Sequence, residues 1–211
     1  MPNIDNILKE IDYALNVLFE PIKTDIRDVN IKSNDKKVSQ RVMRVNHMGE
    51  VCAQALYRGQ AYTTNDVSQK RIILDMCEEE KEHLNMLNLR MNELEGKTSY
   101  LNTLWYLSSF AIGTFVGKLE KNKSFGFIYE TEDQVEAHLD EYTEKLPEND
   151  QRSKEILNDI KIDETKHKNT AKDYGSVELS DSAKKLMTVS SKIMKKTVSY
   201  THLTLPTILR V

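Results

Sequence analysis

The segment ILDMCEEEKEHLNMLNLRMNEL at residues 73–94 decides the fold, together with ILNDIKIDETKHKNTAKDY at residues 156–174. In each segment, large apolar side chains recur at positions spaced by three, four or seven residues, which is typical of a helix packed in a bundle. The two stripes hold Ile73, Met76, Glu80, His83, Leu87 and Leu94, and Ile156, Ile160, Glu164, His167, Ala171 and Tyr174. The sequence therefore predicts two core-facing helices that each bury a glutamate and a histidine three residues apart.

Helical periodicity also covers most of the remaining chain. It predicts helices over about 4–19, 38–62, 66–94, 125–146, 151–174 and 180–197. Gly96 and Gly175 follow two of these segments, at the place where a glycine commonly ends a helix. Together with the apolar segment 101–119, this pattern predicts an all-α fold built on a four-helix bundle.

Composition limits the classes of protein to consider. The 211 residues are 39% hydrophobic and carry a net charge of −3, which suits one domain and gives no support to nucleic-acid binding. Two cysteines without a disulfide pattern indicate a reducing compartment. The chain divides into an N-terminal amphipathic helix and linker (1–37), a bundle (38–198) and a tail (199–211).

The two Glu-x-x-His pairs carry the chemistry. Residues three apart share a helix face, so Glu80 and His83 can reach one metal ion, and so can Glu164 and His167. A buried and unpaired carboxylate costs several kcal/mol, so carboxylates on two core stripes require a common compensation. Two divalent cations bring four positive charges, which match four glutamates beside two neutral histidines.

Two further glutamates are therefore expected, one on each remaining bundle helix. Glu50 is the candidate in the helix over 38–62. In the helix over 125–146, periodicity leaves Glu130, Glu132 and Glu136 open. The cysteines are better core residues than ligands, because an oxygen-rich site suits iron or manganese.

Several blocks resemble the demethoxyubiquinone hydroxylase family, in order and over about residues 38–198. They are RVNHMGEVCAQALYRGQA (44–61), EEEKEHL (78–84), LWYLSSFAIGTFVGKL (104–119), ETEDQVEAHL (130–139) and IKIDETKH (160–167). The resemblance implies a ferritin-like four-helix bundle with additional amphipathic and apolar helices. The final residues THLTLPTILRV (201–211) match nothing in that family.

The resemblance also implies the ligands of two iron ions per chain. They are Glu50, Glu80, His83, Glu132, Glu164 and His167. Among these residues, Glu80 and Glu164 would bridge the irons, and the resemblance selects Glu132 from its three neighbours. His138 falls where the family has a histidine near the quinone, which makes it a candidate substrate contact.

The activity implied by the resemblance is a di-iron monooxygenase of ubiquinone biosynthesis. It would hydroxylate the benzoquinol ring of a polyprenyl demethoxyubiquinone precursor with O2 and two external electrons. The chain lacks a nucleotide-binding glycine motif and an iron–sulfur cysteine set, so NADH or an unidentified reductase is the expected donor. A ubiquinone-biosynthesis complex or a homo-oligomer is a further expectation. The alternatives are a ferritin-like iron-oxidising protein and a non-enzymatic quinone-binding scaffold.

Residues 101–119 predict contact with a membrane. The segment is strongly apolar but is interrupted by small and polar residues, so it suits the bilayer interface better than a span. The expected location is peripheral, on the cytoplasmic face of the bacterial inner membrane. The alternative is a buried helix that closes one end of the bundle.

Overall fold

The protein is α-helical throughout the part of the chain that the computed structural model describes. This part comprises residues 4–19 and 31–208, with side chains described up to residue 199, so most of the expected linker lies outside it. The described residues form seven helices and no strand, which confirms the all-α prediction. The helices are α1 (Ile4–Phe19), α2 (Ser33–Thr63), α3 (Val67–Glu93), α4 (Asn102–Val116), α5 (Lys121–Glu144), α6 (Gln151–Asp173) and α7 (Asp181–Ile208).

Four helices form the predicted bundle. α2 packs along α3, α5 packs along α6, and the two pairs meet through α3 against α6 and α2 against α5. The main core cluster draws apolar side chains from all four of these helices, for example Met48, Leu87, Leu139 and Ile160. The apolar stripes read from the sequence therefore face one another inside the bundle.

The helix ends agree with the sequence at some boundaries and differ at others. α5 begins at Lys121, four residues before its predicted start, and α7 continues to Ile208, beyond its predicted end at 197. α2 begins at Ser33, several residues before the predicted start at Val38.

α6 ends at Asp173, and Gly175, two residues later, has a φ of 84°, the left-handed conformation that glycine accepts without strain. At the end of α3, the residue in the left-handed conformation is Glu95 and not the predicted Gly96. The φ of Glu95 is 54°, and Gly96 follows it and donates a hydrogen bond to the carbonyl of Met91 at 2.7 Å.

A buried ionic network joins the end of α3 to the start of α6. The Arg90 guanidinium donates to Asp150 at 2.7 Å, to Glu93 at 2.9 Å and to the Ser153 hydroxyl at 2.9 Å. Arg90 is 2% exposed and Asp150 is 1% exposed. Asp150 also caps α6 by accepting from the Ser153 amide at 3.1 Å. This network fixes the two helices that carry the Glu-x-x-His pairs relative to each other.

α4 lies in direct backbone contact with α2. A Cβ atom added at Gly59, Gly113 or Gly117 would clash with backbone atoms of the opposite helix, so only glycine allows this approach. Phe110 is half-buried and packs against Tyr62 with ring centroids 6.1 Å apart. On the outer side, α4 exposes several large apolar side chains: Leu104, Leu107, Ile112 and Phe115. The segment is therefore packed on one face and exposed on the other.

α1 attaches to the bundle through two polar side chains. Glu10 forms a two-pronged ion pair with Arg58, at 2.6 and 2.9 Å. Tyr13 places its hydroxyl 3.0 Å from Gln54 and 3.2 Å from the Cys77 thiol. The outer face of α1 is apolar and exposed along its length: Ile4, Ile7, Leu8, Ile11, Leu15 and Phe19.

Candidate metal centre

The six residues expected to bind metal lie together inside the bundle. α2 supplies Glu50, α3 supplies Glu80 and His83, α5 supplies Glu132, and α6 supplies Glu164 and His167. Each is at most 3% exposed. Their helical phase explains this placement, because each pair at i and i+3 sits on the stripe that faces the core.

The side chains divide into two groups that share two members. In each group the candidate ligand atoms all lie within 4.8 Å of one another. The groups are Glu50, Glu80, His83 and Glu164, and Glu80, Glu132, Glu164 and His167. Glu80 and Glu164 belong to both groups, and they are the two residues that the resemblance implies as bridges.

The three glutamates left open in α5 have different environments. Glu132 lies in the cluster. Glu130 accepts a hydrogen bond from Gln134 at 2.8 Å and lies 3.6 Å from Lys184. Glu136 pairs with Lys168. Both neighbours thus have partners outside the cluster, whereas Glu132 faces the other members of its group, Glu80, Glu164 and His167.

Each histidine of the cluster directs one ring nitrogen inward and the other toward an acid. Nδ1 of His83 lies 3.2 Å from Glu80, and its Nε2 lies 3.3 Å from Asp163. Nδ1 of His167 lies 3.1 Å from Glu80, and its Nε2 lies 3.0 Å from Glu79. A carboxylate on the outer nitrogen fixes the tautomer and ring orientation that a metal-binding histidine needs. The sequence interpretation did not include Asp163 and Glu79, although each directly precedes the glutamate of a Glu-x-x-His pair.

Tyr57 is a further residue that contacts the cluster. It is 2% exposed and donates a hydrogen bond from its hydroxyl to Oε1 of Glu132. Burial, and then the negative charge of Glu132, raise the pKa of the Tyr57 hydroxyl well above its usual value, so it remains a donor at neutral pH. Periodicity alone assigns Tyr57 to the core and gives no sign of this contact.

The charge balance of the cluster favours bound cations. Burial, and then the neighbouring Glu80, raise the pKa of Glu50 well above its usual value. Burial alone would lower the pKa of His167, but the nearby Glu164 and Glu80 raise it to about 12. Without metal, therefore, the side chains must retain protons to offset their own negative charge. Oε2 of Glu132 has no hydrogen-bond partner within the described residues. Oε1 of Glu80 and Oε2 of Glu164 contact only Nδ1 of His167, at 3.1 and 3.4 Å.

This donor set fits two iron ions. Four carboxylates and two imidazoles offer hard oxygen ligands with two nitrogens, and the carboxylates neutralise two divalent cations. The inward-facing oxygen and nitrogen atoms of the cluster are the ones that coordination would satisfy.

His138 lies outside both groups. Its ring packs against Tyr142 with centroids 4.2 Å apart, and its Nδ1 lies 3.3 Å from the Lys195 ammonium. Burial, and then the charge of Lys195, lower the pKa of His138 to about 3, so the ring is neutral at physiological pH. Its Nε2 has no hydrogen-bond partner among the described residues.

The fold and the cluster together define a class, the ferritin-like proteins that hold a carboxylate-rich metal site inside a four-helix bundle. Within that class, the chain belongs to the family described as "Ubiquinone biosynthesis protein COQ7", whose sequence model matches residues 37–198. The match begins within the first turns of α2, so the cluster and nearly all of its four helices lie within it and α1 does not.

Several curated bacterial proteins are similar along nearly their whole length. One from Nitrosospira multiformis is 41% identical over 204 residues, covering 93% of this chain and 98% of the relative. One from Dechloromonas aromatica is 40% identical over 197 residues, covering 90% and 95%. One from Chromobacterium violaceum is 40% identical over 198 residues, covering 90% and 96%. All three are named 3-demethoxyubiquinol 3-hydroxylase.

Proposed function

We propose that this protein is a di-iron monooxygenase that hydroxylates the benzoquinol ring of a polyprenyl demethoxyubiquinone precursor. The observation that carries the proposal is the pair of buried ligand groups that share Glu80 and Glu164. Membership of the COQ7 family, and relatives named 3-demethoxyubiquinol 3-hydroxylase, support the substrate class. The reaction takes O2 and two electrons from NADH or a separate reductase.

The six clustered residues are the ligands in this proposal. Glu80 and Glu164 would bridge two metal ions, because each lies in both groups, and Glu50 and Glu132 would be terminal ligands. When bound, two iron ions supply the redox capacity for O2 activation that no side chain of the cluster has. The chain contributes geometry. Asp163 and Glu79 orient the two histidines, and the surrounding apolar core excludes water from the site.

His138 is proposed as a substrate contact. In the neutral ring, Nδ1 accepts from the Lys195 ammonium, so the buried Nε2 without a partner carries the proton and can donate a hydrogen bond to a quinol oxygen. His138 also follows Glu132 by six residues in α5, which places it less than two helical turns from a ligand.

The proposed location is peripheral, on the cytoplasmic face of the inner membrane. No helix in the described part of the chain combines the length and the apolar character that crossing a bilayer requires. The exposed apolar face of α4 supports an interfacial position, since Leu107 is 60% and Phe115 is 68% exposed. A polyprenyl substrate resides in the bilayer, so the enzyme has to meet it there.

The test is conversion of demethoxyubiquinone to ubiquinone in a host that lacks the hydroxylase, with the product identified by mass spectrometry. We expect conversion by the wild type and two irons per purified chain. Glu80→Ala should lose both irons and the activity, whereas Glu50→Ala should lose mainly one iron. Iron binding without hydroxylated product would indicate an iron-oxidising protein instead, and a product without iron would contradict the metal site.

A further inference from the structure

The metal centre consists of two similar halves. One half, from α2 and α3, contributes Glu50, Glu80 and His83, and the other, from α5 and α6, contributes Glu132, Glu164 and His167. In both halves, the outer nitrogen of the histidine contacts an acid from the other half. His83 meets Asp163, and His167 meets Glu79, and each acid directly precedes the shared glutamate of its helix. The two halves are therefore equivalent in their ligands and in the acids that orient their histidines.

Tyr57 breaks this equivalence. It follows Glu50 by seven residues in α2, and its hydroxyl donates to Glu132 of the other half. The corresponding position, seven residues after Glu132 in α5, is Leu139, which is buried in the apolar core and has no side-chain donor. Among the described side chains, no hydroxyl donates a hydrogen bond to Glu50. One terminal carboxylate is thus fixed by a phenol and the other is not.

The contact also determines which oxygen of Glu132 is available. Tyr57 occupies Oε1, and Oε2 is buried without a hydrogen-bond partner among the described residues. Glu132 therefore presents one oxygen to a metal ion in one orientation. A carboxylate held in this way loses little further freedom on coordination. Partners that orient ligands typically change metal affinity by about 10- to 100-fold.

We propose that Tyr57 is a positioning residue that makes the two metal positions unequal. The position formed with Glu132 and His167 binds a divalent cation more tightly than the position formed with Glu50 and His83. Glu50, which has no hydroxyl donor, retains the freedom to change its mode of coordination. This inference rests on the proposed di-iron function, because it assumes that the clustered residues are ligands.

The test is a titration of the metal-depleted, full-length protein with Co2+, followed by visible absorption. The absorption bands of Co2+ report the geometry of its ligands, so the readout is independent of activity. We expect the wild type to bind Co2+ in two steps whose affinities differ by about tenfold or more. Tyr57→Phe should weaken the tighter step by about tenfold, change its spectrum and leave the other step unaltered. Tyr62→Phe is the matched control, since it removes the same hydroxyl from α2 where the ring packs on Phe110.

A double substitution shows whether Tyr57 acts through Glu132. In a Glu132→Gln background, Tyr57→Phe should have no further effect on Co2+ binding, because the oriented carboxylate is already absent. A further loss of affinity there would overturn the assignment.

The wild-type titration is itself decisive and does not depend on the stability of any variant. Two equal steps would overturn the proposed inequality and leave the di-iron function standing, since two cations still bind. Failure of the wild type to bind Co2+ or Fe2+ would instead overturn the metal site and, with it, the proposed function.

Discussion

Asp150→Ala should strongly destabilise the protein, because it removes one of the two carboxylates that pair with the buried Arg90. Arg90 is 2% exposed and would keep only Glu93 and Ser153 as partners. Breaking a buried ion pair costs about 3–5 kcal/mol, and the retained contacts place this case near the lower value. Loss of the α6 cap adds about 1 kcal/mol. We expect a total of roughly 4 kcal/mol, or about a 10 °C decrease in Tm for a chain of this size.

The assay is urea and thermal unfolding followed by circular dichroism, at equal metal content in all variants. Asp140→Ala is the matched control, because it removes an aspartate that pairs with Lys161 at 2.6 Å on the surface. An exposed pair of this kind contributes less than about 1 kcal/mol. If the two variants were equally stable, the proposed role of the Arg90 network in clamping α3 to α6 would be refuted.

The same network predicts the direction of the pH dependence. Burial alone would raise the pKa of Asp150, but hydrogen bonds from Ser39 and Ser153, and then the charge of Arg90, lower that pKa overall. A depressed pKa contributes stability that is fully present above the ordinary aspartate pKa of about 4 and is lost as the pH falls through the folded value. The wild type should therefore lose more stability than Asp150→Ala between about pH 5 and pH 2.

Three further predictions concern the ligands, the membrane face and the tail. Glu132→Ala should abolish one iron per chain, whereas Glu130→Ala, two residues away, should retain both irons in a colorimetric iron assay. Liposome binding should fall when serine replaces three exposed apolar side chains of α4, Leu104, Leu107 and Phe115. Iron content should not change in that variant, and a loss of iron would show that these side chains support the bundle. Deletion of residues 201–211, which follow the family match, should leave iron content and turnover intact, and failure of the truncated chain to fold would contradict this.

Periodicity predicted the bundle and the four residues of the Glu-x-x-His pairs because burial follows helical phase. Glu80, His83, Glu164 and His167 all occupy core-facing positions, and their burial confirms that reading. The fourth glutamate could not be chosen in this way. Glu130 is also buried at 8% exposure, so helical phase does not separate it from Glu132. Only the packing of α5 against the other helices places Glu132 at the cluster.

The sequence pattern did not predict contacts between residues on different helices. Asp163 lies one residue before a core glutamate, where helical phase suggests a position away from the core, yet it reaches His83 on another helix. The alternative interpretation of residues 101–119 as a buried helix is wrong, because α4 is packed on one face only and exposes Leu107 and Phe115 on the other. The interfacial interpretation stays a prediction. Only the side of α4 that carries Gly113 and Gly117 packs against the bundle, because these glycines contact the backbone of α2.

The glycine contact between α2 and α4 has a consequence for substrate range. With backbone against backbone, α4 cannot slide along α2, so the helix that bears Glu50 and the helix with the exposed apolar face form one rigid unit. With α4 at the bilayer surface, as proposed above, the depth of α4 would set the height of the metal cluster above the acyl chains. A quinol ring at that height would lie level with the metal cluster, whatever the number of isoprene units below it. We therefore expect turnover to vary little with tail length, once the tail is long enough to anchor the substrate in the bilayer.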